Sequence, residues 1–190
     1  MAAVRLRRVK EEYGDKIKVE WHAYPLAVQP RAEARISDHS IEGRQRAGLE
    51  QEGICFNPWN NDVPYPVTSM PALRASYCVR LQSADAFEKL HIAIFKTFFE
   101  ECRNIQEEKL LFGLVKATGV DMKQFRADYK KAAVDKDIMA DHRYYTENFL
   151  GWGIPLALVG DKFPLAGAVP IEMYRRAIDL CLGKKKSGDR

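Results

Sequence analysis

The chain has 190 residues, a formal net charge of +4 and 46% hydrophobic residues. This length suits one domain, or one domain that carries an insertion, and a charged fraction of 29% is not that of a disordered chain. No segment has the roughly 18 apolar residues of a membrane helix, and the first residues lack the apolar stretch of a secretory signal. We therefore expect a globular cytoplasmic protein with no membrane partner.

The basic residues do not predict a nucleic-acid interface. They crowd the two ends of the chain, over 5–10 and 184–190, whereas acidic and basic residues are interspersed elsewhere. A nucleic-acid interface needs one basic face, ideally with exposed aromatic side chains between the charges. We interpret 184–190 as a solvated, disordered tail and expect no nucleic-acid partner.

The four cysteines, Cys55, Cys78, Cys102 and Cys181, form no C-x-x-C pair and have no histidine at ligand spacing. The sequence therefore predicts no metal site, no cofactor and no self-contained redox motif. Cys78 and Cys181 lie in apolar helical stretches and are expected to pack as small hydrophobic side chains. Cys102 follows two glutamates, which disfavour a thiolate, and Cys55 is predicted to be a buried inert thiol.

A helix and a strand are predicted at the start of the chain. Leu6, Val9 and Tyr13 recur at helical spacing, and Gly14 is a typical helix end. Apolar and polar residues then alternate over 16–24, which predicts a half-buried β-strand.

The middle of the chain is predicted to be helical. Four residues are candidate N-caps, namely Ser69, Ser83, Asn104 and Asp121. The proline- and asparagine-rich stretch 57–66 predicts a loop. Apolar residues at helical spacing between these signals predict helices over 40–52, 69–81, 83–98, 104–119, 121–129 and 137–150.

A β-hairpin and a last helix are predicted near the end. Two apolar runs, 156–159 and 163–166, flank the turn residues 160–162. A helix then opens at Pro170, with Tyr174 and Cys181 on its apolar face.

This order of elements is that of a thioredoxin-like fold with a block of inserted helices. The segments VKEEYGD at 9–15, PW at 58–59, GIP at 153–155 and GAVP at 167–170 resemble the DsbA-like family, in particular its cytosolic FrnE type. The resemblance covers residues 4–182. It implies an α/β, DsbA-type thioredoxin domain formed by 1–27 and 151–183, with an inserted helical domain over 28–150.

The resemblance also implies thiol–disulfide exchange with protein or peptide substrates. It places a substrate groove at Gly153, Ile154 and Pro155, with Trp59 as a further lining residue. Pro155 would be in the cis form, which leaves the backbone of Ile154 open to pair with a bound peptide.

The family's catalytic C-x-x-C lies at the start of the first helix, where the helix dipole lowers the thiol pKa. The chain starts inside this helix, so none of its cysteines takes that role and the catalytic residues stay unknown. The strand before the helix would lie mid-sheet, and its buried side chains would contribute roughly 5–10 kcal/mol. We therefore expect Met1 to be an internal methionine of a longer protein; otherwise a sheet edge at 17–23 would favour aggregation or a homo-oligomer.

Two other functions stay open. One is a redox-inactive thioredoxin-like module that binds a peptide or protein through the same groove. The other is a glutathione-dependent isomerase or transferase of the kappa or hydroxychromene-carboxylate type. That branch holds glutathione with a Ser/Gln–Asp pair at the start of the last helix, where this chain has Ala168 and Val169, which have no hydrogen-bonding side chains. Helix N-terminal N–H groups could still bind a carboxylate there.

Overall fold

The computed structural model describes residues 1–50 and 53–184. Its described elements are α1 (Ala2–Tyr13), α2 (Asp38–Gly48), α3 (Met70–Gln82), α4 (Ala84–Phe95), α5 (Glu108–Ala117), α6 (Met122–Tyr129), α7 (Ala132–Phe149), β1 (Leu156–Val159), β2 (Phe163–Ala166) and α8 (Ile171–Cys181). A 3₁₀ turn, Gly14–Lys16, follows α1, and a π-helical turn, Lys96–Glu100, follows α4.

These elements form two compact units. The hairpin unit comprises residues 1–21 and the described residues from 148 onward. The helical unit comprises the described residues of 22–147.

The hairpin unit is built around a core shared by α1, α8 and the two strands. Val9 of α1 is fully buried against Leu165 of β2 and Tyr174, Ala177 and Ile178 of α8. Apolar residues on the same face of β1 and β2 complete this core, namely Ala157, Val159 and Phe163. The predicted first helix, the hairpin and the last helix are therefore confirmed, and one apolar cluster joins them.

A tight turn connects the two strands. Gly160 and Asp161 both have positive φ, 57° and 56°, and the N–H of Lys162 donates to the carbonyl of Val159 at 3.2 Å. Positive φ at both central residues is the mark of a type I′ turn, whose twist matches that of the flanking strands. Glycine and aspartate are residues that tolerate this left-handed backbone conformation.

The strand predicted over 16–24 is not a paired strand in the described chain. Ile17 has an extended backbone, with φ −135° and ψ 149°, and its side chain packs against the core of the hairpin unit. The sheet of the described residues has only two strands, β1 and β2. The prediction that 16–24 joins this sheet is therefore wrong, because an apolar alternation forms a strand only where a neighbouring backbone accepts its hydrogen bonds.

The helical unit buries the apolar faces of α3, α4, α5 and α6. Helix α3 contacts the other three. The fully buried side chains of these helices include Val79, Leu90, Leu111, Val115 and Phe125. None of the described helices combines the length and the apolarity that crossing a membrane requires.

Two of the four predicted N-caps are confirmed. Asn104 is not a cap, because α5 begins at Glu108 and its N-cap residue is Glu107. Ser83 Oγ accepts from the N–H of Ala86 at 3.2 Å, and Asp121 caps α6. The Ser69 side chain accepts no cap hydrogen bond from α3, because the Ser69 backbone is helical (φ −94°, ψ −5°) rather than extended.

Some helices begin or end at residues other than the predicted ones. Helix α2 spans Asp38–Gly48 rather than 40–52, and α7 begins at Ala132 rather than at 137. Residues 51–52 of the predicted helix and 185–190 of the predicted tail lie outside the described residues.

The close packing of the hairpin turn on α8 gives a stability prediction. A Cβ at Gly160 would lie 2.5 Å from Cys181 Sγ and 3.3 Å from Cys181 Cβ. Gly160→Ala therefore combines a positive-φ penalty of about 1–2 kcal/mol with a steric clash. Gly167→Ala is the matched control, because Gly167 has φ 81° but nothing within 4 Å of an added Cβ.

In urea unfolding, Gly160→Ala should lower the free energy of unfolding more than Gly167→Ala does. Adding Cys181→Ala to the Gly160→Ala variant should recover part of the difference, since it removes the nearer clashing atom. Equal losses for the two glycine variants would contradict this account of the turn.

Candidate functional site

The chain enters the hairpin through an exposed loop. Gly151 and Gly153 have positive φ, 94° and 82°, and the peptide bond between Ile154 and Pro155 is cis. This is the isomer expected from the sequence. The carbonyl of Pro155 accepts from the N–H of Gly167 at 2.7 Å, so the loop is tied to the end of β2.

The hydrogen bonds across the hairpin determine which backbone groups face outward. Gly167 donates to Pro155, and the register places Leu158 opposite Pro164, which has no N–H. Hydrogen-bonded and non-bonded pairs alternate along an antiparallel ladder. The cross-strand bonds therefore omit Leu156 and Leu158, whose N–H and C=O groups point away from β2. No backbone hydrogen bond joins these two residues to another part of the described chain.

Apolar side chains are exposed in the segment that leads into this edge. Leu150 is 75% exposed, Trp152 51%, Ile154 38% and Leu158 37%. These residues lie in the loop that precedes β1 and in β1 itself. The open outer edge of β1 thus follows a loop whose apolar side chains are exposed.

A buried arginine supports the segment that follows the hairpin. Arg5 of α1 is 5% exposed and donates through Nη1 to the carbonyls of Ala168 and Val169, at 2.5 and 2.8 Å. This contact ties α1 to the residues that precede α8. Nothing in the sequence pattern indicated it, because the partners are more than 160 residues apart.

Trp59, the other predicted groove residue, belongs to the helical unit. It is 8% exposed, and its ring contacts Tyr65 edge-on and Phe98 at a tilt, with centroid distances of 4.9 and 5.4 Å. Its Nε1–H donates to the carbonyl of Val63 at 2.8 Å. The role of Trp59 in a groove stays a prediction.

A second buried arginine organises this aromatic cluster. Arg44 is 6% exposed, and its guanidinium lies 5.3–5.5 Å from the ring centroids of Trp59, Phe98 and Phe99. It donates to the carbonyls of Asn57 and Phe99 at 2.7 and 2.9 Å. A planar fork of donors suits this set of carbonyls better than a lysine would.

All four cysteines are free thiols, and their environments differ. Cys78 is fully buried, and burial raises its pKa to about 12. Cys102 is 7% exposed, with its Sγ 3.2 Å from Arg44 Nη2. Cys55 and Cys181 are exposed, so the prediction that they are buried is wrong. Cys55 lies in a loop, and Cys181 is the last residue of α8.

A histidine–aspartate contact lies at the start of the helical unit. His22 Nδ1 is 2.8 Å from Asp141 Oδ1, and Asp141 Oδ2 accepts from the N–H of Ala23 at 2.8 Å. The His22 side chain is 67% exposed. Among the described residues, no group of three His, Cys, Asp or Glu side chains is arranged to hold a metal ion.

Comparisons with known proteins identify a family and a fold. The family model described as DSBA-like thioredoxin domain matches residues 1–179. The fold is similar to that of a probable DsbA oxidoreductase from Streptomyces coelicolor, with a TM-score of 0.76 and 17% identity over 100% of this chain and 88% of the other. It is also similar to a candidate protein disulfide isomerase from Nitrosomonas europaea, with a TM-score of 0.74 and 16% identity over 97% of this chain and 91% of the other. No curated protein matches the sequence.

The thiol environments predict which cysteines react. Ellman's reagent at mildly alkaline pH should label Cys55 and Cys181 quickly, because both are exposed. Cys78 should react only after denaturation, since burial raises its pKa to about 12 and the reagent attacks thiolates. Cys102, also buried, should react slowly. The Cys55→Ala/Cys181→Ala double variant should show no fast phase, and a fast phase in that variant would contradict the described burial.

Proposed function

We propose that this chain, which belongs to the DsbA-like thioredoxin domain family, binds an extended segment of a protein or peptide along the outer edge of β1. The family is one of thiol–disulfide oxidoreductases. The proposed partner is accordingly a polypeptide thiol or disulfide.

The open edge of β1 is the observation that supports this proposal. Leu156 and Leu158 present N–H and C=O groups that no described residue pairs with. A peptide that adds to such an edge gains backbone hydrogen bonds worth about 0.5–1.5 kcal/mol each. The groove proposed from the sequence, at Gly153, Ile154 and Pro155, directly precedes this edge.

Thiol–disulfide exchange needs a reactive cysteine pair, and the 190 residues contain no C-x-x-C. We propose that the protein is of the FrnE type and that a preceding strand carries this pair. One unpartnered stretch of backbone in the hairpin unit supports a further strand. Lys18 and Val19 make no backbone hydrogen bond to the described chain.

The nucleotides upstream of the Met1 codon distinguish two versions of this proposal. An in-frame C-x-x-C would support an active oxidoreductase. An in-frame stop codon with no such pair would leave the redox-inactive binding module, which uses the same edge.

A glutathione-dependent activity has less support. The residues before α8 offer no hydrogen-bonding side chains at Ala168 and Val169, and their carbonyls accept from Arg5.

A cytoplasmic location is also part of the proposal. Four free thiols, two of them exposed, suit a reducing compartment.

Proline substitutions on the two edges of the hairpin test the binding site. Leu158→Pro removes an outward N–H of β1 without removing a cross-strand bond, and proline is tolerated on edge strands. Ala166→Pro is the matched control, because the register gives Ala166 an outward N–H on the opposite edge, that of β2. The probe is carboxymethylated α-lactalbumin, a permanently unfolded chain, and its binding is followed by fluorescence anisotropy.

Leu158→Pro should weaken binding roughly tenfold or more, which corresponds to about 1.4 kcal/mol. Ala166→Pro should leave the affinity unchanged. Circular dichroism checks that both variants are folded, and sedimentation velocity checks that neither changes its oligomeric state. Unchanged binding by a folded Leu158→Pro variant, or equal losses in both variants, would overturn the proposal.

A further inference from the structure

An open cavity of about 570 Å³ lies between α5 and α6 in the helical unit. Its volume is within the range of about 300–1,000 Å³ that is usual for small-molecule sites. The lining residues that matter here are Lys109, Phe112, Gly113 and Lys116 of α5 and Met122 and Arg126 of α6. The peptide-binding proposal uses none of them.

The apolar wall of this cavity is held in place by packing. The ring of Phe112 meets Phe125 and Tyr129 edge-on, with centroid distances of 5.2 and 5.1 Å. Phe125 is fully buried and Tyr129 is 6% exposed, so these rings form a fixed support. Together with Met122, Phe112 offers a preformed apolar surface.

The charges around the cavity do not cancel. Lys109, Lys116 and Arg126 face a single acidic lining residue, Glu108. The three cations make no ion pair with the described residues, and the Arg126 guanidinium lies over the Phe112 ring at 4.8 Å. Cations beside an apolar wall suit a ligand that joins an anionic group to an apolar body.

Gly113 is an independent observation at the same place. It lies inside α5, and glycine is one of the least favourable residues for a helix interior. A Cβ at this position would meet no atom within 4 Å, so the packing of the described chain does not require glycine there. A ligand seated against α5 gives a reason for the absent side chain.

We infer that this cavity binds an amphipathic carboxylate, whose flat apolar body lies against Met122 and Gly113 beside the stacked Phe112–Arg126 pair and whose carboxylate is held by Arg126 and Lys116. Helices α5 and α6 supply the whole site.

The test measures binding of 1-naphthoate to the full chain by isothermal titration calorimetry. 1-Naphthalenemethanol has the same ring system without the charge and is the control ligand. We expect saturable one-to-one binding of the carboxylate, at least roughly tenfold tighter than that of the alcohol and weaker at high salt. Arg126→Gln and Lys116→Gln should each weaken it roughly tenfold. Lys123→Gln, on α6 but outside the lining, should not.

Substitution of the glycine gives a second readout. Gly113→Leu should fill the space, raise the melting temperature through its better helix propensity and abolish binding. Gly43→Leu, at a helix-interior glycine of α2 that also has open space beside it, should leave binding unchanged. Absent binding, equal affinity for the alcohol, or full affinity in both Arg126→Gln and Gly113→Leu would overturn the inference. None of these results bears on the edge of β1.

Discussion

The alternation of hydrogen-bonded pairs along one short hairpin determines what the hairpin unit can offer to another molecule. Pro164 cannot donate to β1, and its place opposite Leu158 is a non-bonded one. The same alternation turns the amide groups of Leu156 and Leu158 outward. Side chains and backbone hydrogen-bonding groups both alternate with a period of two residues along a strand. A register shift of one residue would therefore turn other amide groups outward and would remove the Leu165 side chain from the core.

Two buried arginines, one in each unit, hold main-chain segments in a similar way. Arg5 and Arg44 both direct their guanidinium groups at main-chain carbonyls of irregular segments. Several donors on one rigid group satisfy carbonyls that no helix or sheet could pair, which offsets the cost of burying the charge. Arg44 in addition lies against three aromatic rings, whose faces are electrostatically negative. Long-range arginine–carbonyl contacts therefore shape loops in both units.

Local signals predicted much of the fold, and long-range contacts account for the rest. The hairpin at Gly160 and the helix end at Gly14 depend on residues a few positions apart, so the sequence could reveal them. The prediction of a strand at 16–24 was wrong because strand pairing depends on two segments, whereas the alternation of apolar and polar residues describes only one of them. The prediction that Ser69 caps α3 was wrong because its backbone is helical, whereas a capping residue needs an extended backbone.

The candidate site was predictable only in part. The segment GIP at 153–155 pointed to the loop before β1 through its resemblance to a family, whereas the outward amides of β1 needed the pairing register. The cavity between α5 and α6 had no sequence signal, since its walls meet only after both helices pack. The exposure of Cys55 and Cys181 likewise depends on tertiary packing, and an apolar helical stretch alone did not reveal it.

Amide hydrogen exchange followed by NMR tests the open edge most directly. The account predicts that the N–H groups of Leu156 and Leu158 exchange nearly as fast as those of an unfolded chain, while those of Ala157 and Val159, bonded across to β2, are strongly protected. Slow exchange at all four positions in the monomeric chain would show that another backbone already covers the edge of β1, and would contradict the account.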